Sequence, residues 1–402
     1  MSSPGVRKLL AARGLRAFAD GYVSLLLPVY LIDLGLTPFQ VGVIATATLL
    51  GSGALTLLVG LRANRFGARA LLVAAAALMC ATGLGFAAIT SFWPLVVIAV
   101  VGTLNPSSGD VSVFLPLEHA VLARIAADRE RTAVFARYSL VGALAGAFGA
   151  IFAGVPEIVA GALGVEARTL YASMFLLYAA LGVASGFVYR TLPRAAVVGA
   201  GTPAAPLKQS KRIVYTLAAL FSLDAFGGGF IVQSLLALWL FERFQLSTAV
   251  AGTIFFWTGV LSAFSYLVAA RIAHRIGLVN TMVFTHLPSS VLLLLAPFAP
   301  DLGWVVVLLL VRSALSQMDV PTRSSYVMAV VSPAERPAAA GITSVPRSLA
   351  SAVSPLIAGY LLGLSTFGWP LIVAGALKIA YDLMLLATCR AIRPPEEAVL
   401  RR

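Results

Sequence analysis

The residues best suited to chemistry in this sequence are charges set inside apolar runs. They are Asp20, Asp110, Glu118, Asp224, Arg312, Asp319, Arg323, Arg347, Lys378 and Asp382. An ionisable side chain at membrane depth costs a few kcal/mol even on insertion scales, so it marks a function or a buried partner. Asp20 and Asp224 each sit in an apolar, glycine-containing segment, and a carboxylate there can load and release protons near neutral pH. Together with Asp110 they are the proton-coupling candidates, and Arg16, one turn from Asp20, would oppose that role if the two pair. Arg312, Ser316, Asp319 and Arg323 recur at i, i+4, i+7 and i+11, which puts them on one face of a helix, and Tyr326 extends the stripe. Such a stripe must face protein or water rather than lipid. Its alternative role is an internal Arg–Asp–Arg brace. Arg347 either meets an anionic solute or pairs with Asp319 or Asp382, and Lys378 with Asp382 makes an i, i+4 structural pair. His119 and His286 show no partner pattern, and packing is the expected role of His119.

The elements that carry these charges follow from composition. The chain has 402 residues, of which 60% are hydrophobic and 11% charged, and its mean hydropathy is +0.95. A soluble domain has roughly 25% charged residues, and no soluble fold of this length could bury so much apolar surface. A soluble enzyme and a disordered chain are therefore excluded. The net charge of +13 does not form one patch that would hold nucleic acid. It recurs in short clusters between apolar runs, as the positive-inside rule expects. Cys80 and Cys389 are far apart and give neither a disulfide framework nor a metal spacing, so no metal or cofactor is expected.

Runs of about 20 apolar residues predict twelve spans: 14–35, 38–60, 68–90, 93–123, 132–154, 169–190, 213–240, 248–270, 278–298, 303–330, 338–364 and 370–390. The basic residues gather in alternate connections, such as Arg62, Arg65 and Arg69 or Arg124, Arg129 and Arg131. The opposite loops hold only Arg168 and Arg243, so both termini are expected on the cytoplasmic side of a cytoplasmic (inner) membrane. The basic, Pro- and Gly-containing segment 194–212 reads as a cytoplasmic linker between a 1–193 half and a 213–402 half.

The halves repeat one another. Arg65 falls on Arg275 and Gly67 on Gly277, and Leu36 and Gly42 fall on Leu246 and Gly252. Further on, Pro116 matches Pro321, Glu130 and Arg131 match Glu335 and Arg336, and Gly154 matches Gly359. The repeat makes Glu118 and Arg323 equivalent positions, and related by a two-fold axis they are candidates for a gate pair.

Twelve spans in two pseudo-symmetric six-helix halves, joined by a basic linker, resemble the major facilitator superfamily of secondary transporters. The family's signature between helices 2 and 3, roughly G-x-x-x-D-R-x-G-R, is met by Gly60, Arg65, Gly67 and Arg69, with Asn64 at the Asp position. In the family that Asp helps lock the halves in the outward-facing state. Asn64 can hydrogen-bond there but cannot form an ion pair. The resemblance implies an all-α integral membrane fold whose helices 1, 4, 7 and 10 line a central cavity, and alternating access as the mechanism. It also implies a monomer whose partners are a small-molecule substrate, protons and the lipid bilayer. The glycines of GALAGAFGAIFAG resemble the fifth helix of antiporters, which favours export, although close helix packing explains them equally well. The alternative is a proton-driven importer of an anionic metabolite, motivated by the embedded cations. An intramembrane enzyme is disfavoured because neither HExxH nor G-x-S-x-G on a plausible turn is present, and a transporter-like sensor would carry a longer tail or a soluble domain.

Overall fold

In lipid every backbone polar group must be satisfied internally, so apolar runs of this length become helices. The computed structural model describes residues 4–62, 66–107, 112–125, 131–192, 207–332 and 335–390. The helices are α1 (Pro4–Asp33), α2 (Pro38–Arg62), α3 (Ala68–Ala88), α4 (Phe92–Val101), α5 (Phe114–Ile125), α6 (Arg131–Phe152), α7 (Val155–Leu163) and α8 (Ala167–Arg190). They continue as α9 (Lys211–Gly229), α10 (Gln233–Phe244), α11 (Thr248–Ile276), α12 (Leu278–Leu295), α13 (Leu302–Ser316), α14 (Asp319–Val330), α15 (Arg336–Leu364) and α16 (Trp369–Cys389). Among the described residues, eleven segments are long and apolar enough to cross a membrane, and the shorter α4 opens the span expected at 93–123.

The chain forms two compact units. Unit 1 comprises Met1–Ala200 and Val232–Trp257, and unit 2 comprises Gly201–Ile231 and Thr258–Arg402. The segment from Val232 to Trp257 thus groups with the first unit, whereas the sequence reading assigned all of 213–402 to the second half. The physical reason is local. Gly154 and Gly252 let α11 approach the end of α6 so closely that a Cβ at either glycine would strike backbone of Ala249 or Ala150. Glu157 also accepts the Thr248 backbone N–H at 2.6 Å. Most of the expected linker, 193–206, lies outside the described residues.

The duplication is visible in which helices pair within each unit. In unit 1, α1 packs on α6 and α3 on α8; in unit 2, α9 packs on α15 and α12 on α16. In terms of spans, first pairs with fifth and third with sixth in both copies.

Two expected spans are interrupted at matched places. In unit 2 the break falls at Gln317 and Met318, between α13 and α14. Pro321 explains it: proline has no N–H to give the carbonyl four residues earlier, and its ring crowds that carbonyl. Pro116 occupies the matching early position in α5. The stripe expected along one continuous helix is therefore corrected: Arg312 and Ser316 belong to α13, and Asp319, Arg323 and Tyr326 to α14.

Candidate functional site

Each unit encloses its own cluster of buried charge. In unit 1 the centre is Glu118 on α5, which is 0% exposed. Its Oε2 pairs with the Arg16 guanidinium and accepts from the Tyr138 hydroxyl, and its Oε1 accepts from Tyr189 Oη at 2.7 Å. Arg16 Nε in turn donates to Tyr189 Oη at 2.9 Å, and its guanidinium lies 4.1 Å from the Phe114 ring centroid. One carboxylate, one guanidinium and two phenols thus close a neutral knot. Asp20, buried on α1, lies within electrostatic reach of Arg16.

The seam beside this knot is built from glycine. A Cβ on Gly21 would land on the Gly146 carbonyl, one on Gly149 on the Phe18 carbonyl, and one on Gly142 on the Arg13 guanidinium. These contacts assign the glycines of the fifth span a packing role.

In unit 2 the centre is Asp224 on α9. Its Oδ1 accepts from Lys378 Nζ at 2.7 Å and its Oδ2 from Arg323 Nη2 at 2.8 Å. Arg323 also pairs with Asp319, one turn away on α14. His286 on α12 sets Nδ1 2.9 Å from both carboxylate oxygens of Asp382. Its Nε2 lies 3.5 Å from Asp224 Oδ1 and 3.5 Å from Lys378 Nζ. Arg323 also packs over the rings of Phe221 and Tyr381, at 5.1 and 5.9 Å.

This arrangement corrects the pair expected on the last span. Lys378 and Asp382 do not turn to each other; Lys378 reaches α9 and Asp382 reaches α12. A buried side chain takes the partner that relieves the most uncompensated charge, and here that partner lies across the helix interface. Both residues of the expected Glu118–Arg323 gate have their partners within their own unit. Tyr326 is buried in the apolar core of unit 2 with Val214, Met282 and Tyr381. Ser316 ends α13, and its hydroxyl lies 3.5 Å from the Ser313 carbonyl. His286, which shows no partner pattern in the sequence, joins this network. Its signal was a histidine in an apolar span, but the partners lie 62 to 96 residues away and leave no local spacing.

Two cations stand apart from these networks. Arg312 Nε is buried without a hydrogen-bond partner among the described residues. Arg347, exposed on α15, lies within electrostatic reach of Arg323, Asp224 and Asp319 without a hydrogen bond or ion pair to them among the described residues. Ligand atoms of Asp224, His286 and Asp319 lie within 4.8 Å of one another, a spacing that would suit a metal ion. The positive charge there is already supplied by Lys378 and Arg323, so the group reads as an internal ion network.

Of the loop signature, Asn64 and Arg65 lie outside the described residues, as does the side-chain position of Gly60; Asp110 lies outside them too. Gly67 precedes α3 at φ −62°, and Arg69 is in that helix's first turn. Its repeat partner Gly277 has φ +90°, where a Cβ would be strained. On the cytoplasmic side of the sequence reading, Glu335 accepts the backbone N–H groups of Lys208, Gln209 and Ser210 at 2.6, 3.0 and 3.0 Å. The Lys208 N–H leads these in holding the Glu335 carboxyl down to about 2 from an ordinary 4.5.

Comparison with known proteins agrees with this architecture. An uncharacterized membrane protein of Saccharomyces cerevisiae, YJR124C, is 25% identical over 419 residues, covering 96% of this chain and 94% of its own. The crystal structure of the nucleoside transporter NupG superposes with a TM-score of 0.71 at 15% identity, covering 96% of this chain and 99% of that one. A D-xylose-proton symporter superposes with a TM-score of 0.71 at 17% identity, covering 94% and 96%. The sequence profile of the Major Facilitator Superfamily matches residues 9–223 and again 214–401. The chain, an all-α membrane protein built from a duplicated bundle of helices, belongs to the major facilitator superfamily of secondary transporters.

Proposed function

We propose that the chain is a proton-coupled secondary transporter of a small solute bearing negative charge, working by alternating access in a cytoplasmic membrane with both termini inside. One observation carries the choice of solute. Among the described residues, Arg312 and Arg347 make no ion pair with a carboxylate, whereas Arg323 and Lys378 do. The buried Arg312 Nε bears the cost of an unmet donor, and an anionic solute is the partner that would offset it, with Arg347 as a second cation. The glycines that first favoured export are accounted for by helix packing, so the importer of an anionic metabolite becomes the stronger reading. The protein is expected to act as a monomer.

The test is reconstitution of the whole chain into liposomes with a pH gradient of either polarity. A mixed panel of carboxylates, phosphate esters, neutral sugars and nucleosides, and organic amines is offered, and the vesicle contents are read by mass spectrometry. Accumulation is expected for anions only, in step with the gradient, and should be lost in Arg312→Gln and Arg347→Gln. Accumulation confined to neutral or cationic solutes would overturn the reading.

A further inference from the structure

We propose that the driving proton binds Nε2 of His286, with Asp382 as the group that positions the imidazole and Asp224 as the oxygen that receives the new N–H. This assignment rests on the reading of the chain as a proton-coupled anion transporter.

The geometry fixes the roles of the two ring nitrogens. Nδ1 faces both oxygens of Asp382 at 2.9 Å, and with Asp382 as a carboxylate, which can only accept, Nδ1 carries a hydrogen and donates it. Nε2 faces one donor and one acceptor at equal distance, Lys378 Nζ and Asp224 Oδ1, each at 3.5 Å. A bare Nε2 accepts from the ammonium. A proton arriving from water takes the Nε2 lone pair, turns that nitrogen into a donor toward Asp224, and leaves Lys378 with Asp224 alone. One proton therefore redirects two contacts without moving the ring. Asp224, the first candidate for this task, is held as a carboxylate by Lys378 and Arg323.

Charge balance gives the coupling to solute. His286 is faced by Asp382, Lys378 and Tyr381 from α16 and by Asp224 from α9. Arg323 and Asp319 on α14 complete the network, and the Arg312 backbone of α13 packs against α12 at Ser289. Within the network, Asp224, Asp319 and Asp382 oppose Arg323 and Lys378. Arg347 stands in reach of it, and its charge balances the odd carboxylate. An anion that pairs with Arg347 removes that compensation, and a proton on His286 restores it. Anion and proton then favour each other's binding, the condition for cotransport in one direction rather than exchange.

The test follows the imidazole itself, in the whole chain labelled with ¹⁵N-histidine, by NMR. The variant carrying His119→Gln and His274→Gln isolates His286; if it fails to fold, the three signals of the native chain serve. The expected spectrum has hydrogen on Nδ1 and a bare Nε2 in the unloaded state, with both nitrogens protonated once the proton is bound. Arg347→Gln, which mimics neutralisation by an anion, should increase the doubly protonated signal relative to the parent at the same pH. A bare Nδ1, an imidazole that stays silent on acidification, or an Arg347→Gln spectrum unchanged from the parent would overturn the proposal. Anion accumulation in liposomes with a silent His286 would sink this assignment and spare the function. A responsive His286 with no anion movement would do the reverse.

Discussion

The two units hide charge in opposite ways. In unit 1 Glu118 is saturated: Arg16, Tyr138 and Tyr189 meet its two oxygens, and the knot is neutral without help from any titrating group. In unit 2 the network has three carboxylates, two permanent cations and one imidazole. A saturated pair resists change because losing either member strands the other. A network whose odd carboxylate is offset only by Arg347, which makes no ion pair to it among the described residues, can settle in two protonation states. The duplicated architecture has thus kept a brace in one copy and a responsive site in the other.

That contrast can be broken by measurement. The largest effect is expected for Glu118→Ala, which leaves Arg16 buried and unpaired and should cost about 3–5 kcal/mol, read as thermal unfolding in detergent. His286→Gln should cost less, about 1.5–3 kcal/mol, because Lys378 keeps Asp224 and only the bond to Asp382 is weakened. If the two variants reversed this order, the brace would lie in unit 2. Glu335→Gln should lower stability at neutral pH and lose that effect in acid. The folded carboxyl is held at about 2 against an ordinary 4.5, so its contribution is full above the higher value and lost as pH falls through the lower. The gap between parent and variant melting temperatures should therefore close between those two values. Smallest of all, Arg347→Gln should leave stability within about 0.5 kcal/mol of the parent while abolishing anion accumulation. A large loss of stability there would make Arg347 a structural residue and end its comparison with the paired cations.

Much of this was legible in the sequence, and the limit has a physical origin. Span positions follow from local hydropathy, and the duplication from matched residues such as Pro116 and Pro321. The break after Ser316 was not anticipated, because the apolar run reads as one continuous span, although Pro321 removes a hydrogen bond four residues upstream. What spacing could not show were partners on other helices. Lys378 and Asp382 look like a pair at i, i+4, yet each relieves charge on a neighbour, Asp224 and His286. Helical periodicity specifies a face; it does not specify which face of which other helix it meets. The same limit explains Tyr326, which shares a stripe with Arg323 yet is buried in the core.

The glycine seam between α1 and α6 carries a mechanical consequence. Where Gly21 meets the Gly146 carbonyl and Gly149 meets that of Phe18, two main chains touch with no side chain between them. Such a joint has no bearing surface on which to slide and no gap for an acyl chain to enter. The two helices must travel as one strut through any transport cycle, and a pair of spin labels placed across them should report one fixed separation whatever gradient is imposed.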